Sequence, residues 1–195
     1  MLDRESRAWS VVSAELALQR DMLKALAQDL LERVQRAGAA AATVIDTNVL
    51  LQHQRPDFVP WDVIVGHVPV RLIVPLRVVD EIDAKKYARR SDLADRARGL
   101  LPWLEGVVAN GPGTIRENVT IEVLIDERRQ MKPQDADRDV ADTCHELRQF
   151  GTPDVTLVTA DTGMLLRARG QGIRSVKMPA AYRGDPAPQA DSGTA

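Results

Sequence analysis

The sequence predicts an α/β fold of three layers, α/β/α, with a central parallel sheet of about five strands and a long helix in front of it. Three observations carry that prediction. Short β-branched runs alternate with helical periodicity from residue 43 to residue 178. Each run is bounded by Gly, Pro or Asp punctuation. Ahead of them, residues 5 to 36 recur apolar at Trp9, Leu16, Leu23 and Leu30, every seventh place.

At 195 residues the chain has room for one domain with a real core plus extensions. Hydrophobic residues make up 44% and charged residues 28%, and the formal net charge is −2, which excludes a strongly basic, whole-surface nucleic-acid binder. Any basic footprint is therefore local. The single cysteine, Cys144, forbids an internal disulfide and fits a reducing compartment, so a cytoplasmic location is expected. Charges at Asp3, Arg4, Glu5 and Arg7 stand where a signal peptide needs an apolar core. No stretch approaches the ~18 apolar residues of a membrane span.

Residues 1 to 42 read as a helical extension. Val12 and Leu26 support the seven-residue stripe, but Gln19 and Arg33 interrupt it, which argues for packing on the main domain or a homodimer partner rather than a free zipper. The first strand, centred on Val44, ends abruptly at Asp46, and a helix follows to about Gln54. An irregular link through Pro56 and Pro60 leads to a helical turn near Trp61. Val70 to Val74 is the second strand, closed by Pro75. Helices are predicted from about Leu76 to Arg90 and from Ser91 to about Val108, the latter interrupted or bent at Pro102. Asn110-Gly111-Pro112-Gly113 is a turn, and Val119 to Ile125 is the third strand. A loop at Lys132-Pro133-Gln134-Asp135 starts a helix from Asp137 to Phe150. Val155 to Thr159 is the fourth strand and runs straight into Asp161. A helix from Thr162 to Arg169 and a short strand from Ile173 to Met178 complete the alternation. Residues 183 to 195 are too poor in apolar surface to offset ordering, and disorder is expected there.

In parallel α/β sheets ligands sit outside the carboxyl ends of the strands, so Asp46 and Asp161 are placed for chemistry. Asp46, Thr47 and Asn48 are also cap formers, and the stretch alone leaves both roles open. On the helix after residue 136, about 100° per residue gathers Val140, Ala141, Cys144 and Leu147 on the apolar face. Asp137 lies at the N-terminal end of that face, whereas Asp139, Asp142 and Glu146 are expected on the solvated side. On the Leu76 helix, Glu81 and Asp83 border the core face of Val78, Val79 and Ile82, and periodicity does not choose between them.

Carboxylates that converge need neutralising, because two of them ~4 Å apart repel by about 4 kcal/mol at an effective dielectric of 20. Oxygen donors without an organised His or Cys set select Mg²⁺ or Mn²⁺. The implied chemistry is metal-assisted attack on a phosphodiester.

The ordered motifs Val44-Ile45-Asp46-Thr47-Asn48-Val49-Leu50, Val78-Val79-Asp80-Glu81-Ile82, Asp137-Arg138-Asp139-Val140-Ala141 and Val158-Thr159-Ala160-Asp161 resemble those of the PIN domain nucleases. Each motif alone is weak, but four in register are strong, and together they span residues 43 to about 182. The resemblance implies a PIN domain over 43–182, with Asp46, Glu81, Asp137 and Asp161 as catalytic metal ligands for Mg²⁺ or Mn²⁺. It selects Glu81 over Asp83, and it makes Thr47, Asn48 and Thr159 the polar side chains that orient the ligands. It also implies hydrolysis of RNA, usually single-stranded, leaving a 5′-phosphate and a 3′-hydroxyl. Where many members carry a further acid after the fourth aspartate, this chain has Thr162-Gly163-Met164. Compact PIN toxins begin almost directly at the first strand, which this chain does not.

Lys85, Lys86, Arg89, Arg90 and Arg138 are candidate contacts to an RNA backbone, weighed against an ordinary solvated face with a Glu81–Lys85 pair. Arg128, Arg129, Lys132 and Arg138 form a second candidate patch ahead of the third acid. Trp61 and Trp103 are expected in the core, as is Cys144. The competing readings are the toxin of a toxin–antitoxin pair, with an antitoxin protein as partner, and a PIN scaffold that binds RNA or protein without cleaving.

Overall fold

A computed structural model describes residues 2–38, 40–87, 91–125 and 136–184. Arg89, Arg90, Arg128, Arg129, Lys132 and the expected tail from residue 185 on lie outside the described residues. Two compact units result, residues 1–38 and 39–195.

The first unit is helix α1, Leu2–Ala37. Its turns are tied by side-chain pairs four residues apart, including Arg33 Nε to Asp29 Oδ2 at 3.0 Å and Gln28 Nε2 to Glu32 Oε1 at 3.1 Å. Gly38, with φ of 65°, ends it in the left-handed conformation and donates its N–H to the Val34 carbonyl. Trp9, Leu16, Leu23 and Leu30 are exposed along this helix.

The second unit is a six-stranded sheet with helices. The strands are β1 (Ala42–Ile45), β2 (Val70–Pro75), β3 (Gly113–Arg116), β4 (Val119–Leu124), β5 (Val155–Thr159) and β6 (Arg174–Lys177). Their order across the sheet is β3-β4-β2-β1-β5-β6. All neighbours pair in parallel except β3 with β4. The helices are α2 (Thr47–Gln52), α3 (Trp61–Val65), α4 (Leu76–Lys85), α5 (Ser91–Val108), α6 (Ala136–Gln149) and α7 (Thr162–Gly170).

Every residue of β1 and β5 is buried, as expected of parallel strands covered on both faces. Ile45, Leu72, Ile73, Ile121 and Leu157 form the central layer, with Leu51, Ile82, Leu147 and Met164 packing from the helices. Trp61 joins this core, its Nε1 donating to the Pro56 carbonyl at 2.8 Å.

The structure refines three expectations. The sheet has six strands rather than about five, and it is not wholly parallel. The sixth, β3, follows the predicted turn at once and pairs antiparallel with β4 through Glu117-Asn118, where Asn118 takes a φ of 58°. Gly113 is required at its start, because a Cβ there would stand 2.2 Å from the Val107 carbonyl oxygen. Second, α5 runs as one helix across Pro102. Third, α4 ends at Lys85, short of the predicted Arg90.

Candidate functional site

The sheet order puts β1 between β2 and β5, so the chain leaves β1 to one side through β2 and to the other through β5. This is the point where the winding reverses, and in such sheets ligands bind outside the carboxyl ends of the strands, here those of β1 and β5. Asp46 follows β1 directly, and Asp161 stands two residues beyond the end of β5.

Both aspartates cap the helices that follow. Asp46 Oδ1 accepts the Val49 N–H at 2.8 Å, and Asp161 Oδ1 accepts the Met164 N–H at 2.9 Å. Capping and site placement are therefore compatible, since a carboxylate has about four lone-pair positions and the cap bond takes one. Thr159 links the two. Its hydroxyl donates to Asp46 Oδ2, and its Oγ1 accepts the Asp161 N–H at 3.0 Å.

Asp46 is 4% exposed. Its carboxyl is pushed up to about 6 in all: burial is the largest cause, hydrogen bonds from Thr159 and Val49 oppose it, and the charges of Asp137 and Asp161 add to the rise. The three aspartates thus share one electrostatic environment. Glu81 joins through Thr47, whose hydroxyl donates to Oε2 at 2.6 Å, while Lys85 Nζ donates to Oε1 at 2.7 Å. Burial alone would raise Glu81, but the bonds from Lys85 and Thr47 and the Lys85 and Arg77 charges carry it below the ordinary carboxylate range. Asp83, the other candidate on α4, is exposed and pairs with Lys86 at 2.6 Å.

Asp137, in the first turn of α6, is half-exposed and accepts a hydrogen bond from Arg167 of α7. That arginine was not singled out from the sequence. Nothing local marks it, because its partner is thirty residues away on another helix. Asp139 departs from expectation: it is buried, not solvated. The reason is that α6 packs against α4 as well as against β1, β2 and β5, so the covered arc is wider than the single apolar face.

Other candidate residues are placed less centrally. Asn48 Oδ1 accepts from Gln52 Nε2 at 2.9 Å, along its own helix. Lys85, and Lys86 just past the end of α4, make ion pairs with Glu81 and Asp83 of that helix. Arg138 is exposed and approaches Asp142 at 3.9 Å. Cys144 is buried, as expected.

Aspartates just beyond the two strand ends at the switch point of a mostly parallel sheet mark the chain as an α/β protein that carries acids at its strand tips. The PIN domain family matches residues 43–179, and the chain belongs to that family. Its members are generally nucleases and typically use divalent metals. No curated protein is significantly similar to the chain. Among solved structures it is similar to a domain of a functionally unknown protein from Methanocaldococcus jannaschii DSM 2661, at 18% identity and a TM-score of 0.47, covering 71% of this chain and 91% of that one. Among the described residues, no helix is long and apolar enough to cross a membrane.

The donor set suits a hard divalent cation: all oxygen, with a buried carboxylate whose charge is opposed by burial and by two like charges. As placed, no three His, Cys, Asp or Glu side chains among the described residues stand close enough to hold one ion. Thr47, Lys85, Thr159 and Arg167 hold the acids instead.

Proposed function

We propose that this PIN domain is a divalent-metal-dependent endoribonuclease that hydrolyses phosphodiester bonds of single-stranded RNA at the Asp46 strand tip. The observation that carries the reading is the buried strand-tip Asp46, raised by burial and by the Asp137 and Asp161 charges. A cation relieves that repulsion, and an enzyme of this family has a use for one.

Asp46 and Asp161 would be the principal ligands of Mg²⁺ or Mn²⁺, with Glu81 and Asp137 completing the site directly or through water. When bound, the ion supplies a water activated at neutral pH and charge stabilisation on the phosphate and the leaving oxygen. The chain's own contribution is orientation. Thr159 ties Asp46 and Asp161 to each other, and Thr47, next to Asp46 in the chain, holds one oxygen of Glu81. Above pH of about 6 Asp46 is ionised and available as a ligand.

Asp46→Asn retains the fold and loses Mn²⁺-dependent cleavage of single-stranded RNA by at least about 100-fold, in line with the loss of a group acting on the transition state. Cleavage at the wild-type rate would sink the assignment. The internal partners of Asp137 and Glu81 favour one second reading, a scaffold that binds without cleaving. Calorimetry separates the two: a wild-type chain that takes up no Mn²⁺ is a scaffold.

A further inference from the structure

The largest exposed apolar surface among the described residues runs along α1. Trp9, Val12, Leu16, Leu23, Leu26 and Leu30 recur at steps of three, four and seven residues, so they share one stripe of the helix. All six are between 49% and 72% exposed, and α1 bears eleven exposed large hydrophobic side chains in all. A helix in a protein draws most of its stability from packing such a stripe, and polar pairs along its own surface contribute little.

What covers the stripe must bring an apolar surface of matching length. Residues 39–195 expose large hydrophobic side chains at only six described places, Phe58, Val63, Val68, Tyr87, Ile125 and Leu166, each on a different element or connection. A second α1 brings the whole stripe. Six side chains from each copy, at roughly 100 Å² apiece, would remove about 1,200 Å² from water, which reaches the lower bound of a stable interface.

The charges beside the stripe set the direction of the pair. When two copies lie parallel and in register, Glu15 on one flank meets Arg20 of the second copy, and symmetry repeats the contact. Arg20 is held only by its neighbour Asp21, in an exposed pair that exchanges readily. An antiparallel pair that keeps the same apolar layers instead brings Glu15 beside Asp29 of the second copy, acid against acid. Gln19 and Arg33 stand at two places of the seam, and each has a partner on its own helix. Gln19 Nε2 donates to Glu15 Oε1 at 2.9 Å, and Arg33 Nε donates to Asp29 Oδ2 at 3.0 Å. Polar residues at such places weaken a helix pair and fix its register.

We propose that α1 docks on α1 of a second copy of this chain, parallel and in register, and makes the protein a homodimer. The Trp9–Leu30 stripe supplies the buried surface, and the Glu15–Arg20 contacts choose the partner's direction.

Analytical ultracentrifugation of the full chain over a concentration series tests the pairing, with the melting of residues 39–195 in each variant as the control for folding. The wild type is expected to sediment as a dimer. Leu23→Glu is expected to weaken self-association at least about 100-fold, because each dimer loses two buried leucines. Arg20→Glu sets like charges opposite Glu15 and should weaken the dimer about fivefold, and adding Glu15→Arg should restore it, a recovery that a damaged helix would not show. Leu16→Cys under oxidised glutathione places two thiols face to face in a parallel pair, and about 15 Å apart along the axis in an antiparallel one. It should therefore cross-link to itself, while the wild type, whose Cys144 is buried, should not. A wild-type chain that stays monomeric up to about 100 µM overturns the proposal, as does a dimer indifferent to Leu23→Glu. Cross-linking of Leu16→Cys only to a Leu26→Cys chain overturns the parallel arrangement, and a trimer or larger assembly overturns the pair.

Discussion

Asp46 holds a charge in a place that resists one. Its folded-state pKa of about 6 stands above the ordinary 3.8, so without metal the folded protein keeps a proton that the unfolded chain has released. The sign follows from that. The group's contribution is most favourable below pH of about 4 and is lost as pH rises through about 6, a change of about 3 kcal/mol in total. Glu81, shifted the opposite way, contributes stability that grows as pH rises. Comparing wild type with Asp46→Asn cancels the Glu81 effect. Urea midpoints in EDTA should show wild type losing stability relative to Asp46→Asn between pH of about 4 and 7, and parallel curves would contradict the burial of Asp46. Asp46 and Asp161 were legible in the sequence because each ends a β-branched run, a purely local signal. Arg167 and the burial of Asp139 were not, because each depends on a neighbour brought in from elsewhere in the chain.

Among the elements, the β3–β4 hairpin shows where local reading stops. The turn before it was visible in Asn110-Gly111-Pro112-Gly113, but β3 is only Gly113–Arg116, an edge strand half-exposed along its length, with little hydrophobic signal. What reverses the chain is Asn118 at a φ of 58°, and its carbonyl also accepts the Val70 N–H at 2.8 Å. Asn is one of the few side chains that tolerate this conformation. Asn118→Ala is therefore expected to cost about 1 kcal/mol, while Asn118→Gly costs close to nothing. The two urea midpoints measure the difference, and equal effects would mean that the turn holds no left-handed residue. By contrast, α6 appeared within a residue of its observed ends, since Gly151, with φ of 112°, is a C-terminal signal any helix shows.

At the scale of the whole molecule, the buried hydrophobic core lies between Ala42 and Met178, and the PIN domain match over 43–179 nearly coincides with it. Residues 39–195 form a compact unit of their own. We propose that this unit folds alone. A chain starting at Ala39 is expected to melt cooperatively with a Tm within about 4 °C of the full chain, the shift that about 1 kcal/mol produces at this size. A broad, non-cooperative transition by circular dichroism would show that residues 1–38 are needed for the fold.

The sequence by itself determined the alternation of strands and helices, the long helix in front, and which acids sit at element ends, because periodicity, β-branching and punctuation act over a few residues. Only the tertiary structure decided that β1 lies between β2 and β5, that Thr159 spans Asp46 and Asp161, and that Arg167 meets Asp137. Strand order and contacts between distant helices are set by how buried faces pack against one another, and that competition involves the whole chain at once.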